Sequence, residues 1–160
     1  MMTLLNYVAE ILEDGEPGAW AFIKGSEAYP NLKGVALIYP MGMSSLMVVV
    51  AEGLPTSGFY GMHIHEGSEC TGNAENPFAN AGTHFNPTNQ EHPIHAGDLP
   101  PLLSDGGMAY SAFMTGRFVP EEVLGRTLII HEHADDFHTQ PSGNSGKMIA
   151  CGVIKPNIIG

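Results

Sequence analysis

"SGFYGMHIHEGSEC" (57–70) sets aromatic and aliphatic residues between turn-forming Ser and Gly, and its central run, 59–66, reads as a β-strand. Side chains alternate across a strand, so positions two apart face the same side. His63 and His65 therefore project together, about 7 Å apart along the backbone. Two imidazoles on one strand face are either a surface accident or half of a metal site completed elsewhere in the chain.

Working outward, further runs rich in Val, Ile, Leu, Tyr and Phe lie at 19–25, 32–40, 44–53, 108–116, 125–133 and 147–154, with a short extended piece at 81–86. Twenty Gly and twelve Pro punctuate them. The pattern predicts an all-β meander or Greek-key sandwich or barrel. Parallel α/β is excluded, because no helical crossover segments separate the runs. Leu4, Leu5, Val8, Ile11 and Leu12 repeat at helical spacing, with Gly15 able to end the element. They predict a short N-terminal helix packed on the outside of the barrel; a homodimer contact through that helix is the sharper alternative. "FVPEEVLG" (118–125) has room for one helical turn. The chain thus divides into a helical extension over 1–18 and a β-barrel domain over 19–160.

A chain of 160 residues suits one domain with a real core. No apolar run approaches the roughly 20 residues that span a bilayer. The N-terminus lacks a basic segment followed by a small-residue cleavage site, so the expected location is cytoplasmic. A net charge of −11 with only six Lys and Arg argues against nucleic acid and anionic membrane surfaces as partners, since both need a basic patch. Two cysteines, Cys70 and Cys151, lie far apart in sequence; in a cytoplasmic protein, free thiols are the usual state.

Two stretches, 66–107 and 132–146, lack periodicity. Loops longer than about 12–15 residues in a compact domain are usually functional or disordered. All eight histidines fall inside these stretches or within three residues before them. "GTHFNPTNQEHPIHAGDL" supplies His84, His92, His95 and Asp98, and "LIIHEHADD" supplies His131 and His133 followed by Asp135 and Asp136. A lone histidine in such a loop is more often solvated than ligating. Six at strand edges and in a Gly/Pro-rich loop, with an aspartate three residues on, point instead to a metal cluster. Imidazoles suit zinc and copper, and a set including one carboxylate suits a closed tetrahedral zinc site.

"GMHIHEG", "AGTHFNP", "HAGDLP", "GRTLIIHEHADD" and "GNSGKMIACGVI" occur in the order seen in copper/zinc superoxide dismutases. The chain resembles that family from about Ala19 to Ile154. The resemblance implies an immunoglobulin-like, eight-stranded Greek-key β-barrel or sandwich with long metal-binding loops. It implies copper on His63, His65, His84 and His131, and zinc on His84, His92, His95 and Asp98, with His84 bridging both. Asp135 matches the aspartate that hydrogen-bonds a histidine of each metal. Cys70 and Cys151 match the family disulfide. The implied activity is disproportionation of superoxide anion to oxygen and hydrogen peroxide. Opening and closing of the His84 bridge would serve as one proton source. His133 and His138 match nothing essential and read as solvated.

Two departures stand out. Only "PI" separates His92 from His95, where the family usually carries a longer segment; three-residue spacing can still converge on one ion in a tight turn. The family arginine three residues before the final cysteine, which helps draw and orient the anion, is Met148 here, with Lys147 one place earlier. Alternation along a strand would point Lys147 away from that position unless the strand begins later. The stretch 136–146 also contains no Lys or Arg, so activity below the family norm is expected. The alternative is a copper/zinc-binding protein with a storage or structural role and little turnover.

Overall fold

The computed structural model describes residues 2–157. Helix α1 (Leu4–Asp14) starts where Thr3 Oγ1 accepts the Asn6 N–H at 3.2 Å, and ends where the Gly15 N–H reaches Ile11 O. Its seating differs from the expected packed stripe. Ile11 alone is buried, Tyr7 and Val8 are half-buried, and Leu4, Leu5 and Leu12 stay exposed.

Ten paired segments follow: β1 (Ala19–Gly25), β2 (Lys33–Met41), β3 (Ser44–Glu52), β4 (Gly58–Tyr60), β5 (Met62–His65), β6 (Leu102–Asp105), β7 (Met108–Thr115), β8 (Thr127–His131), β9 (Met148–Val153) and β10 (Lys155–Pro156). They pair in the order β4-β6-β7-β3-β2-β1-β9-β8-β5, with β10 on the other part of β1, and every ladder is antiparallel. β4 and β5 are consecutive in the chain yet end the order on opposite sides. The run 58–65 therefore spans the seam and nearly closes a barrel of Greek-key-like topology. Gly61, between them, makes this turn possible at close quarters, because a Cβ there would sit 2.7 Å from Ser145 Oγ. The 3₁₀ turn at Pro120–Val123 is the helical turn expected over 118–125.

Three strand expectations need correction. The run 59–66 splits at Gly61 instead of pairing as one strand. The piece at 81–86 is not a strand: its main chain makes single bonds to Glu66, Ile64 and Gly97, and only His84 forms an isolated bridge, to His65. β6, inside a stretch read as loop, alternates Leu102 and Ser104 inward with Leu103 and Asp105 outward and turns into β7 at Gly106–Gly107.

Side-chain alternation builds the core. Ala19, Ala21 and Ile23 of β1 face inward while Phe22 and Lys24 face out, and Ile38, Met47, Val49 and Ile64 pack into the same cluster. Each of the larger side chains, Ile23, Ile38, Met47, Val49 and Ile64, stabilises the fold by about 1.5–3 kcal/mol on full burial. β5 and β8 are exceptional in having every residue buried. Their inner face, Met62, Ile64, Leu128 and Ile130, belongs to the core. Their outer face carries His63, His65 and His131, covered by the loop that follows β5. That covered outer wall positions the site.

Candidate metal centre

Six histidines and Asp98 form two clusters that share one residue. His63, His65, His84 and His131 make the first; His84, His92, His95 and Asp98 make the second. Within each, the ligand atoms all lie within 4.8 Å of one another, and all seven residues are buried. The strand pair β5–β8 supplies His63, His65 and His131, and the covering loop supplies the others. His133 and His138, read as solvated, are exposed.

The rings of the first cluster are anchored from behind. His65 Nδ1–H donates to Gly82 O at 2.8 Å, His131 Nδ1–H to Gly146 O at 3.1 Å, and His63 Nε2–H to Asp135 Oδ2 at 2.7 Å. Each bond fixes the tautomer and leaves the opposite nitrogen with a free lone pair, as metal-ligating imidazoles require. His65 Nε2 and His131 Nε2 then face each other at 3.3 Å. Two lone pairs repel at that distance, but it matches two nitrogens about 2.0–2.1 Å from one ion at tetrahedral angles. His63 Nδ1 and His84 Nε2 are buried without a hydrogen-bond partner, a costly state that a cation relieves.

The second cluster meets the same test. His84 Nδ1 lies 2.8 Å from Asp98 Oδ1 and 3.4 Å from His95 Nδ1. His92 Nδ1 and His95 Nδ1 each lie 3.1 Å from Asp98 Oδ2, yet His92 Nδ1 makes no hydrogen bond of acceptable geometry. These atoms converge on a common point instead of on each other. His84 presents Nδ1 to this cluster and Nε2 to the first, so one imidazole serves both.

Electrostatics favours neutral rings and ionised carboxylates, the forms that bind metal. Burial pushes His63 down, His65 well down, and His131 to about 3. For Asp135, burial opposes ionisation, but hydrogen bonds from His63, the Phe137 amide and His92 outweigh it and hold the carboxyl well below the usual range. For Asp98, the His84 hydrogen bond and the surrounding imidazoles likewise prevail over burial. Asp135 spans the clusters, accepting from His63 at Oδ2 and from His92 Nε2 at Oδ1, 2.8 Å away.

The family model for copper/zinc superoxide dismutase matches residues 33–154. This chain belongs to the copper/zinc superoxide dismutase family. It is 35% identical over 143 residues to a Cu-Zn superoxide dismutase of Deinococcus radiodurans, covering 78% of each chain. It is 34% identical over 137 residues to superoxide dismutase 2 of Aquifex aeolicus, covering 76% of this chain and 78% of the other. Superoxide dismutase A of Xenopus laevis shares 36% over 118 residues, 64% of this chain and 75% of that one. As a member of the copper/zinc superoxide dismutase family, the chain carries two clusters consistent with the metal sites typical of it.

Cys70 and Cys151 are joined, with Cα atoms 5.7 Å apart, so both thiols are consumed. The bond ties the covering loop to β9 and packs with Phe78, Ala81 and Ile129 in a small second core that Met148 also touches. A cleft of about 980 Å³ opens over His65, His84 and His131. β9 begins at Met148, one residue later than the expected 147–154, and a bulge pairs His131 with Met148 but Ile130 with Ala150. Lys147 is therefore outside the ladder, and both Lys147 and Met148 line the cleft.

Two residues inside the quoted motifs, Gly143 and Arg126, shape the site in ways that their sequence context did not signal. Gly143, at φ +67°, leaves the space where a Cβ would overlap Asp135 Oδ1 and crowd His92 Nε2. Arg126 donates to Glu66 O at 2.8 Å and lies 4.3 Å over the Phe85 ring, bracing the segments beside His65 and His84. Their neighbours are the Asp135 carboxylate and the His92 ring for Gly143, and the Glu66 carbonyl and the Phe85 ring for Arg126, contacts that spacing does not encode.

Proposed function

We propose that this chain is a superoxide dismutase, disproportionating superoxide to oxygen and hydrogen peroxide at a copper centre bridged to zinc. The observation that carries the reading is His84, one buried imidazole directed by Nε2 into one ligand set and by Nδ1 into the other. His63, His65, His84 and His131 would hold copper; His84, His92, His95 and Asp98 would hold zinc. When bound, copper would supply reversible one-electron chemistry, oxidising one superoxide to oxygen and reducing the next to peroxide with two protons, beside a redox-inert zinc. His84 Nε2 is the protein atom able to hold and release one of those protons. His63, fully buried, and His65, His84 and His131, which line the cleft, would hold the ion where a small anion can reach it.

Anion capture is the weak step. The charged lining of the cleft is Glu66, Glu75 and Glu132 against Lys147, and Met148 stands where the family arginine would be. Met offers superoxide no hydrogen-bond donor. We therefore read the activity as reduced, with Lys147 the one Lys or Arg among the described residues lining the approach. We also read the barrel as the eight-stranded, immunoglobulin-like one; counting β4 and β5, which pair on opposite sides of the seam, as one unit and β10 as the tail of β9 supports that count.

The test is superoxide consumption by protein loaded with copper and zinc. Copper-dependent turnover that stops on copper removal is expected. Two bound metals without turnover would favour the storage or structural alternative.

A further inference from the structure

We propose that Arg117 is a positioning residue that holds the 92–98 turn closed so that His92, His95 and Asp98 converge before metal arrives. The inference rests on the reading of these residues with His84 as the zinc set. One nitrogen, Arg117 Nη1, donates to Pro93 O at 2.8 Å, His95 O at 3.2 Å and Asp98 O at 3.3 Å. Two of these carbonyls belong to ligand residues, and the third follows the ligand His92. Three carbonyl dipoles aimed at one point repel one another, and a cation at that point turns repulsion into attraction.

The clamp has a firm base. Arg117 follows the end of β7, its own N–H donates to Thr115 Oγ1 at 3.2 Å, and the next residue, Phe118, is buried with its carbonyl bonded to buried Ser45 Oγ of β3. The turn is gripped at its other end by Gln140, which accepts from the His92 N–H at 2.9 Å and donates to His92 O at 2.7 Å. With only two residues between His92 and His95, the turn has few internal bonds of its own: Ile94 N–H to Glu91 O, Asp98 N–H to His95 O, and His95 N–H to Asp98 Oδ2 at 2.9 Å. Arg117 thus couples the zinc side to the barrel wall, and ordering that would otherwise accompany metal binding is complete beforehand.

The experiment titrates metal-free, full-length protein with Zn²⁺ against a competing chelator, and separately with copper. Arg117→Met should weaken zinc binding about 10–100-fold, the usual cost of losing a group that orients metal ligands. Copper binding should change far less, because Arg117 touches none of His63, His65 and His131. Arg117→Lys, which keeps a cation able to reach some of the carbonyls, should recover part of the zinc affinity. It also decides the matter if Arg117→Met does not fold. Zinc affinity unchanged in a folded variant would overturn the clamp, as would an equal loss of both metals, which is the mark of general destabilisation. If the unsubstituted protein takes no zinc on His92, His95 and Asp98, the zinc reading itself fails, and that result is visible without any variant.

Discussion

Asp135 holds one ring from each ligand set, and it does so as an anion with two oxygens already committed. Burial disfavours the protonated forms of His63, His65 and His131, which has a consequence for metal-free protein. In an unfolded chain, His63, His65 and His131 take up protons near pH 6.5. In the fold all three protonate only at lower pH, His65 well below that value and His131 at about 3. Between those limits the unfolded state binds more protons, so stability falls as pH falls. Asp135 and Asp98, held below the usual carboxylate range, act in the same direction at the acid end of the window. The thermal midpoint of chelator-treated protein should therefore drop steadily from about pH 6.5 toward 3. A midpoint that is flat or rises on acidification would show that these rings are not buried neutral.

At the scale of elements, the covering loop after β5 is closed by the Cys70–Cys151 bond across 81 residues. Chain-entropy theory gives such a loop about 4–5 kcal/mol of stabilisation. Cys151→Ser should lower stability by about 2–5 kcal/mol in denaturant unfolding, and thiol titration of unsubstituted, denatured, unreduced protein should find no free thiol. Two titratable thiols would remove this staple. The long strands were legible because a run of apolar and aromatic residues between turn formers is a local signal: β1, β2, β3 and β7 lie close to where their runs put them. β6 was not, since four residues are too short for a period to register. The 81–86 piece misled because an extended, apolar-flanked run can be held by single bonds as well as by a ladder. The ligand sets were legible because imidazoles and a carboxylate at strand edges carry their chemistry in the side chain. Arg117 and Gln140 were not, because they recognise main-chain atoms, and any sequence supplies those.

For the whole molecule, a net charge of −11 sets the long-range field against an anionic substrate. Met148→Arg should raise the second-order rate with superoxide several-fold at low salt, since one charge 4 Å away is worth about 1 kcal/mol even at the dielectric of water. The gain should shrink as ionic strength approaches 0.1 M, where the Debye length is about 10 Å. Met148 also packs against the disulfide cluster, so metal content must be verified in the variant. An unchanged rate at low salt with both metals bound would sink the capture argument. The central claim, a bridged two-metal centre organised on His84, is tested most directly by elemental analysis of fully loaded protein beside its His84→Ala variant. The account predicts one copper and one zinc per chain, with both impaired by the substitution. A single metal per chain at saturation, or a variant that loses one metal and keeps the other at full affinity, would contradict it.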